Sequence, residues 1–148
     1  MRVLRTASLS QTSNCQTPQN APPMKLQPDK SNAPMIHAYD PAWIEVNGIR
    51  YERSLSVSSL PEIQPSAWAS SQFETLTQND FSPWAHVGVE LILFGSGKKL
   101  RFAKPDWLQD LIGRGIGVET MDTAAACRTY NILASEGRKV AALLLIES

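Results

Sequence analysis

At 148 residues the chain has room for one ordinary domain and too little for two, and its 14 Lys and Arg balance its 14 Asp and Glu, so no global field of either sign recruits nucleic acid or an anionic membrane. Any such binding needs a local patch. The hydrophobic content of 43% is that of a globular protein, and the longest purely apolar stretch, Val140 to Ile146, falls far short of the roughly 20 residues a spanning helix needs, so a soluble protein without direct membrane insertion is expected.

Residues 1–34 read as a disordered leader, or as a start placed too early with Met24 or Met35 as the true initiator. The stretch is rich in Ser, Thr, Gln, Asn and Pro and too poor in apolar residues to order itself. Arg2 and Arg5, with no acid beside them, give a faint mitochondrial transit signal. The reading favoured is cytoplasmic, with the mitochondrial matrix as its alternative. Residues 35–148 are then one domain. Within it, Trp43, Ile44 and Val46 precede Asn47-Gly48, and Ile49, Tyr51 and Leu55 follow, which predicts a hairpin on a type I′ turn. Loops with a short helix after Thr77, capped by its hydroxyl, come next. Trp68, Phe73, Phe81 and Trp84 read as core anchors, because no basic residues interleave them as they would in a nucleic-acid groove.

From His86 onward the rhythm changes. "VGVELILF" has the form of a strand buried on both faces. Pro105 suits a first helical turn, and Trp107, Leu108, Leu111 and Ile112 recur at helical spacing until Gly113 and Gly115 stop the helix. "GIGVETM" is a second strand, Asp122 or Thr123 caps the helix "AAACRTYNILASE", and after Gly137 "KVAALLLIE" is a third strand. This βαβαβ order predicts an α/β fold with a parallel sheet. In the last helix Ala126, Cys127, Tyr130, Leu133 and Ala134 share the packing face; Arg128, Asn131 and Ser135 fall opposite.

The turn Gly95-Ser96-Gly97-Lys98 imitates a phosphate loop but lacks its spacing. A P-loop places four residues between its glycines and Ser or Thr after its lysine; here one residue intervenes and Lys99 follows, with the helix delayed to Pro105. The dinucleotide fingerprint fails as well, at Leu100. What survives is position: in wound sheets, ligands sit outside the carboxyl ends of parallel strands. If the first two strands are neighbours, Ser96, Gly97, Lys98, Arg101, Asp122, Thr123 and Arg128 surround one crevice suited to an acidic partner or a small anion. The plainer alternative makes Asp122 a helix cap and Arg101 a surface charge.

Cys127 stands one turn into a helix, where thiol pKa values fall, yet it lies among alanines on the packing face and reads as a small buried residue. Cys15 and Cys127 form no disulfide framework, which fits a reducing compartment, and His37 and His86 belong to no metal-ligand pattern. Neither a metal nor a cofactor is expected. Glu90, Glu119 and Asp122 are carboxylates that strand ends could gather.

The glycine turn at 95–97, "LRF" at 100–102, "GIGVE" at 115–119, "MDT" at 121–123, "CRTYN" at 127–131 and "EGR" at 136–138 stand in the order seen in a family of small α/β domains. Over residues 35–147 the chain resembles that family, which includes mitochondrial complex I assembly factor 3 and short uncharacterised bacterial and archaeal proteins, the bacterial members most closely. The resemblance implies a single domain with a mixed central sheet, helices packed on it and an extra antiparallel ribbon. It implies protein partners and a non-catalytic role in assembling NADH:ubiquinone oxidoreductase, and it carries over no catalytic residues. The competing expectation is a protein or enzyme that binds a small anionic metabolite in the strand-end crevice; a weaker one is redox chemistry at Cys127.

Overall fold

The computed structural model of the chain describes residues 33–68 and 71–147; Cys15 and nearly all of the expected leader lie outside them. Ala33 and Pro34, assigned to the leader by composition, are buried against the domain, and the Pro34 carbonyl accepts the Tyr130 hydroxyl at 2.8 Å.

Among the described residues, eight strands form two sheets. Strands β1 (Ile36–Asp40), β2 (Trp43–Val46) and β3 (Ile49–Tyr51) make an antiparallel ribbon, with Asn47 and Gly48 at φ 51 and 86 as the type I′ turn requires. Ile44 and Val46 point to one face of it and are fully buried. The expected hairpin ends at Tyr51. Leu55 belongs instead to β4 (Leu55–Ser58), which leaves the ribbon and enters the second sheet, where it is buried on both faces.

That second sheet has five strands in the order β5 (Ser66–Ala67), β4, β8 (Val140–Leu144), β6 (Leu91–Gly95), β7 (Gly117–Met121). The last three are mutually parallel, and β4 and β5 run antiparallel to their neighbours, so the sheet is mixed. The first parallel strand starts at Leu91, not Val87, since a 3-10 turn over Ser82–His86 and Gly88, at φ 99, bend the chain before it.

Chain direction decides which face each helix covers. The step from β6 to β7 runs one way across the sheet and the step from β7 to β8 runs back past β6; two right-handed crossovers of opposite direction must cover opposite faces. Helix α3 (Thr123–Ser135) and the ribbon accordingly enclose Leu93, Val140, Ala142 and Leu144, while Ile92, Phe94, Ala141, Leu143 and Leu145 face the other way. On that second side lie α1 (Gln78–Phe81) and α2 (Gln109–Gly113). The Pro105 helix is only partly α: Pro105–Leu108 is a 3-10 turn leading into α2, in which Leu111 is buried and Ile112 exposed. Thr77 is the N-cap of α1, as expected, and forms a capping box with Asp80, whose carboxylate accepts from the Thr77 N–H at 2.8 Å.

Trp68, Phe81, Phe94 and Trp107 form the aromatic centre of this side. Phe81 stacks on Trp107 at 5.7 Å, and Trp68 meets Phe81 edge-on at 5.5 Å while its Nε1–H donates to the Asp80 carbonyl. Phe73 and Trp84 are half-buried at its border, so all four expected anchors pack on this core.

Candidate functional site

The parallel register of β6 and β7 runs from Leu91 opposite Gly117 to Gly95 opposite Met121, which brings the glycine turn and the start of α3 to one rim. Backbone bonds lace the two together: Ser96 N–H donates to the Met121 carbonyl and Thr123 N–H to the Gly97 carbonyl, both at 2.9 Å. Thr123 Oγ1 accepts from Gly97 N–H at 2.9 Å and donates to the Leu145 carbonyl beyond β8 at 2.8 Å. One hydroxyl thus ties the ends of all three parallel strands. Gly95 permits this approach, because a Cβ there would lie 3.0 Å from Thr123 Cα and 3.2 Å from Ala126 Cβ.

Several candidate residues are spent holding the turn itself. Ser96 is fully buried; its Oγ donates to the Lys99 carbonyl at 2.8 Å and accepts from Arg101 N–H at 2.9 Å. Arg101 folds back over the turn, where Nη2 donates to the Ser96 carbonyl at 2.8 Å and meets the Glu147 carboxylate at 2.5 Å. Its guanidinium lies 4.6 Å from the Phe73 ring centre. Asp122 is the N-cap of α3, accepting from Ala125 N–H at 2.8 Å, and Thr123 is the first helical residue.

A cavity of about 330 Å³ opens beside this lacing. Gly97, Lys98, Asp122, Thr123, Ala124 and Leu145 line it from the large sheet, and Tyr39, Asp40 and Pro41 close it from the β1–β2 turn. Exposed Arg128 joins its wall indirectly, donating to the Tyr39 hydroxyl at 2.8 Å. Of the seven candidates, four therefore border one hollow, Arg128 braces it, and Ser96 and Arg101 are enclosed elsewhere in the turn. Asp40 and Asp122 outnumber Lys98 around it, so its lining does not favour an anion. Tyr39, Asp40, Pro41 and Glu147 escaped sequence reasoning: Asp40-Pro41 signals a turn, but nothing local says where that turn docks.

The remaining candidates are dispersed. Glu90 lies at the opposite, amino end of the parallel strands, accepting from Lys139 N–H at 3.1 Å and pairing with Arg138 at 3.3 Å, and these contacts hold its carboxyl below the usual range. Glu119 is exposed in the edge strand β7, so the three carboxylates do not meet. Cys127 is completely buried, and that burial pushes its thiol up to about 12, the reverse of an activated nucleophile. Among the described residues no three His, Cys, Asp or Glu side chains group as metal ligands, and no helix is long and apolar enough to cross a membrane.

A mixed α/β domain, with a five-stranded sheet wrapped by helices and a ribbon over α3, is also the fold of known relatives. The crystal structure of a Bordetella parapertussis protein matches with a TM-score of 0.71 at 34% identity, over 78% of this chain and 97% of that one. A Bordetella pertussis protein described as a Mth938-like domain matches at 0.67 and 28% identity, over 80% and 89%. Residues 36–145 match the family described as protein of unknown function DUF498/DUF598, and the chain belongs to that family. It is 30% identical over 122 residues to NADH dehydrogenase [ubiquinone] 1 alpha subcomplex assembly factor 3 of Bos taurus, covering 81% of this chain and 65% of that protein. The chain thus spans slightly under two thirds of the length of that relative. The family relationship implied by the motifs is thereby established.

Proposed function

We propose that the chain is a non-catalytic assembly protein that holds partner proteins while a respiratory NADH:quinone oxidoreductase is put together, working from the cytoplasm. The observation carrying this reading is its 30% identity over 122 residues to assembly factor 3. The chemistry of the rim is consistent with it. Ser96, Thr123 and Asp122 spend their side chains on backbone groups of the fold, and Arg101 is engaged by Ser96 and Glu147. Such groups shape a surface for a partner; they are not poised for proton transfer or nucleophilic attack.

Deleting the gene and resolving the membranes of the source cells on native gels tests the proposal. Expected are accumulated sub-complexes and less fully assembled NADH:quinone oxidoreductase, restored by the wild-type chain, with subunits of that enzyme enriched on a gently captured tagged copy. An unchanged amount of assembled enzyme in the deletion strain refutes it.

A further inference from the structure

The segment Lys98–Lys104 leaves the rim as a projecting tip. Leu100 and Phe102 are 52% and 71% exposed, and Phe102 is the most exposed of the large hydrophobic side chains among the described residues. The other exposed ones, Tyr39, Ile49, Ile112 and Ile132, stand on four different elements, so 100 and 102 are the pair presented together. Their exposure is built in. Arg101 between them is pinned inward by the Ser96 carbonyl, Glu147 and the Phe73 ring, and Ser96 Oγ bonds both Lys99 and Arg101. With Arg101 held inward by these contacts, its neighbours Leu100 and Phe102 are left to solvent.

Charge identifies the occupant. Lys98, Lys99 and Lys104 are exposed around the apolar pair, and none of them is in an ion pair among the described residues. Lys104 rests 5.6 Å over the Trp107 ring. Lys98 shares its side of the rim with Asp40 and Asp122, while Glu74 and Glu147 face Arg101. No acid lies within residues 98–104 themselves. Protein interfaces favour arginine and deplete lysine. Here the arginine is turned inward and three lysines, strongly hydrated point charges, are turned out.

We infer that this tip docks the protein peripherally on an anionic lipid surface, Leu100 and Phe102 entering the headgroup boundary and the lysines meeting the phosphates. It supplies the local patch that a chain of zero net charge needs for such binding. The inference goes beyond the assembly role and stands without it.

Co-sedimentation of the full chain with vesicles of phosphatidylcholine plus phosphatidylglycerol, and with vesicles of phosphatidylcholine alone, is the test. Expected is binding to the anionic vesicles that weakens with added salt. Leu100→Ser/Phe102→Ser lowers that partition by roughly tenfold or more, and Lys98→Gln/Lys99→Gln does so to a similar extent, roughly tenfold. Thermal melting confirms that both variants remain folded. A wild-type chain left in the supernatant with both vesicle types overturns the inference, as does an unchanged partition of the serine variant. Loss of a protein partner by the serine variant, without vesicle binding by the wild type, also overturns it and makes the tip a protein-docking site.

Discussion

Arg101 and Glu147 close the carboxyl end of the described chain onto the glycine turn. Their charged groups meet at 2.5 Å, with side chains only 20% and 24% exposed. Gly97 makes the closure possible: it sits at φ 102, and a Cβ there would come within 2.5 Å of the Glu147 carboxylate. Removing one partner leaves the other charge part-desolvated. Glu147→Gln and Arg101→Ala are therefore each expected to cost about 1–3 kcal/mol in urea unfolding. The double variant should cost less than the sum, because both changes break one contact.

Thr123 joins three strand ends through one oxygen. Thr123→Val keeps the volume but leaves Gly97 N–H and the Leu145 carbonyl without their side-chain partner, for a loss of about 2–4 kcal/mol. Thr123→Ser keeps the hydroxyl and costs roughly 1 kcal/mol, the worth of a buried methyl group. Equal destabilisation of the two variants by urea would remove the hydroxyl from the explanation.

Gly95 is close-packed against the first turn of α3. In Gly95→Ala the new methyl meets backbone and Ala126, neither of which can swing away, so about 1–3 kcal/mol of overpacking is expected. A melting temperature equal to wild type would show that the helix start moves freely.

Cys127 sets an alkaline limit on stability. Folded, it keeps its proton to about pH 12; an unfolded thiol releases it near pH 8.5, so between these values the folded state binds more protons and unfolding grows easier as pH rises. The contribution is fully present below about pH 8.5 and is lost at up to about 1.4 kcal/mol per pH unit above it. Cys127→Ala, although less stable at neutral pH, should show a flatter dependence over this window. Buried Tyr130, whose pKa is also raised by desolvation, adds a further decline above pH 10 that the variant retains. At neutral pH, alkylation of wild-type Cys127 should proceed no faster than unfolding exposes it.

Asn131 clasps the ribbon to α3. Its Oδ1 accepts from Ile36 N–H at 2.9 Å and its Nδ2 donates to the Ile36 carbonyl at 2.7 Å. Asn131→Ala should cost about 1–3 kcal/mol and accelerate amide exchange in β1 more than in β6 and β8. Uniform acceleration across both sheets would show that the ribbon does not open separately.

Local rules made much of the domain legible. Asn47-Gly48 specified its turn, the Asp122 cap and Gly137 bounded α3, and three apolar runs gave the parallel strands, because each signal acts within a few residues. Asn131 shows where that stops. Helical spacing placed it on the polar side of α3, and so it would be if only the sheet packed there; the ribbon covers that side as well and turns a polar residue into a clasp. Arg101 is similar. A cation in a loop reads as solvated until Phe73 and Glu147, distant in sequence, converge on it.

By itself, then, the sequence determined the α/β class, the strand–helix order of the C-terminal half, the core aromatics and the motifs that place the chain in its family. Only the tertiary structure decided that β8 lies beside β6, that Tyr39 and Asp40 wall the rim cavity, and that Leu100 and Phe102 face outward. Strand order, docking of the ribbon and the inward turn of Arg101 are settled by contacts between residues far apart along the chain, and short-range periodicity carries no record of those contacts.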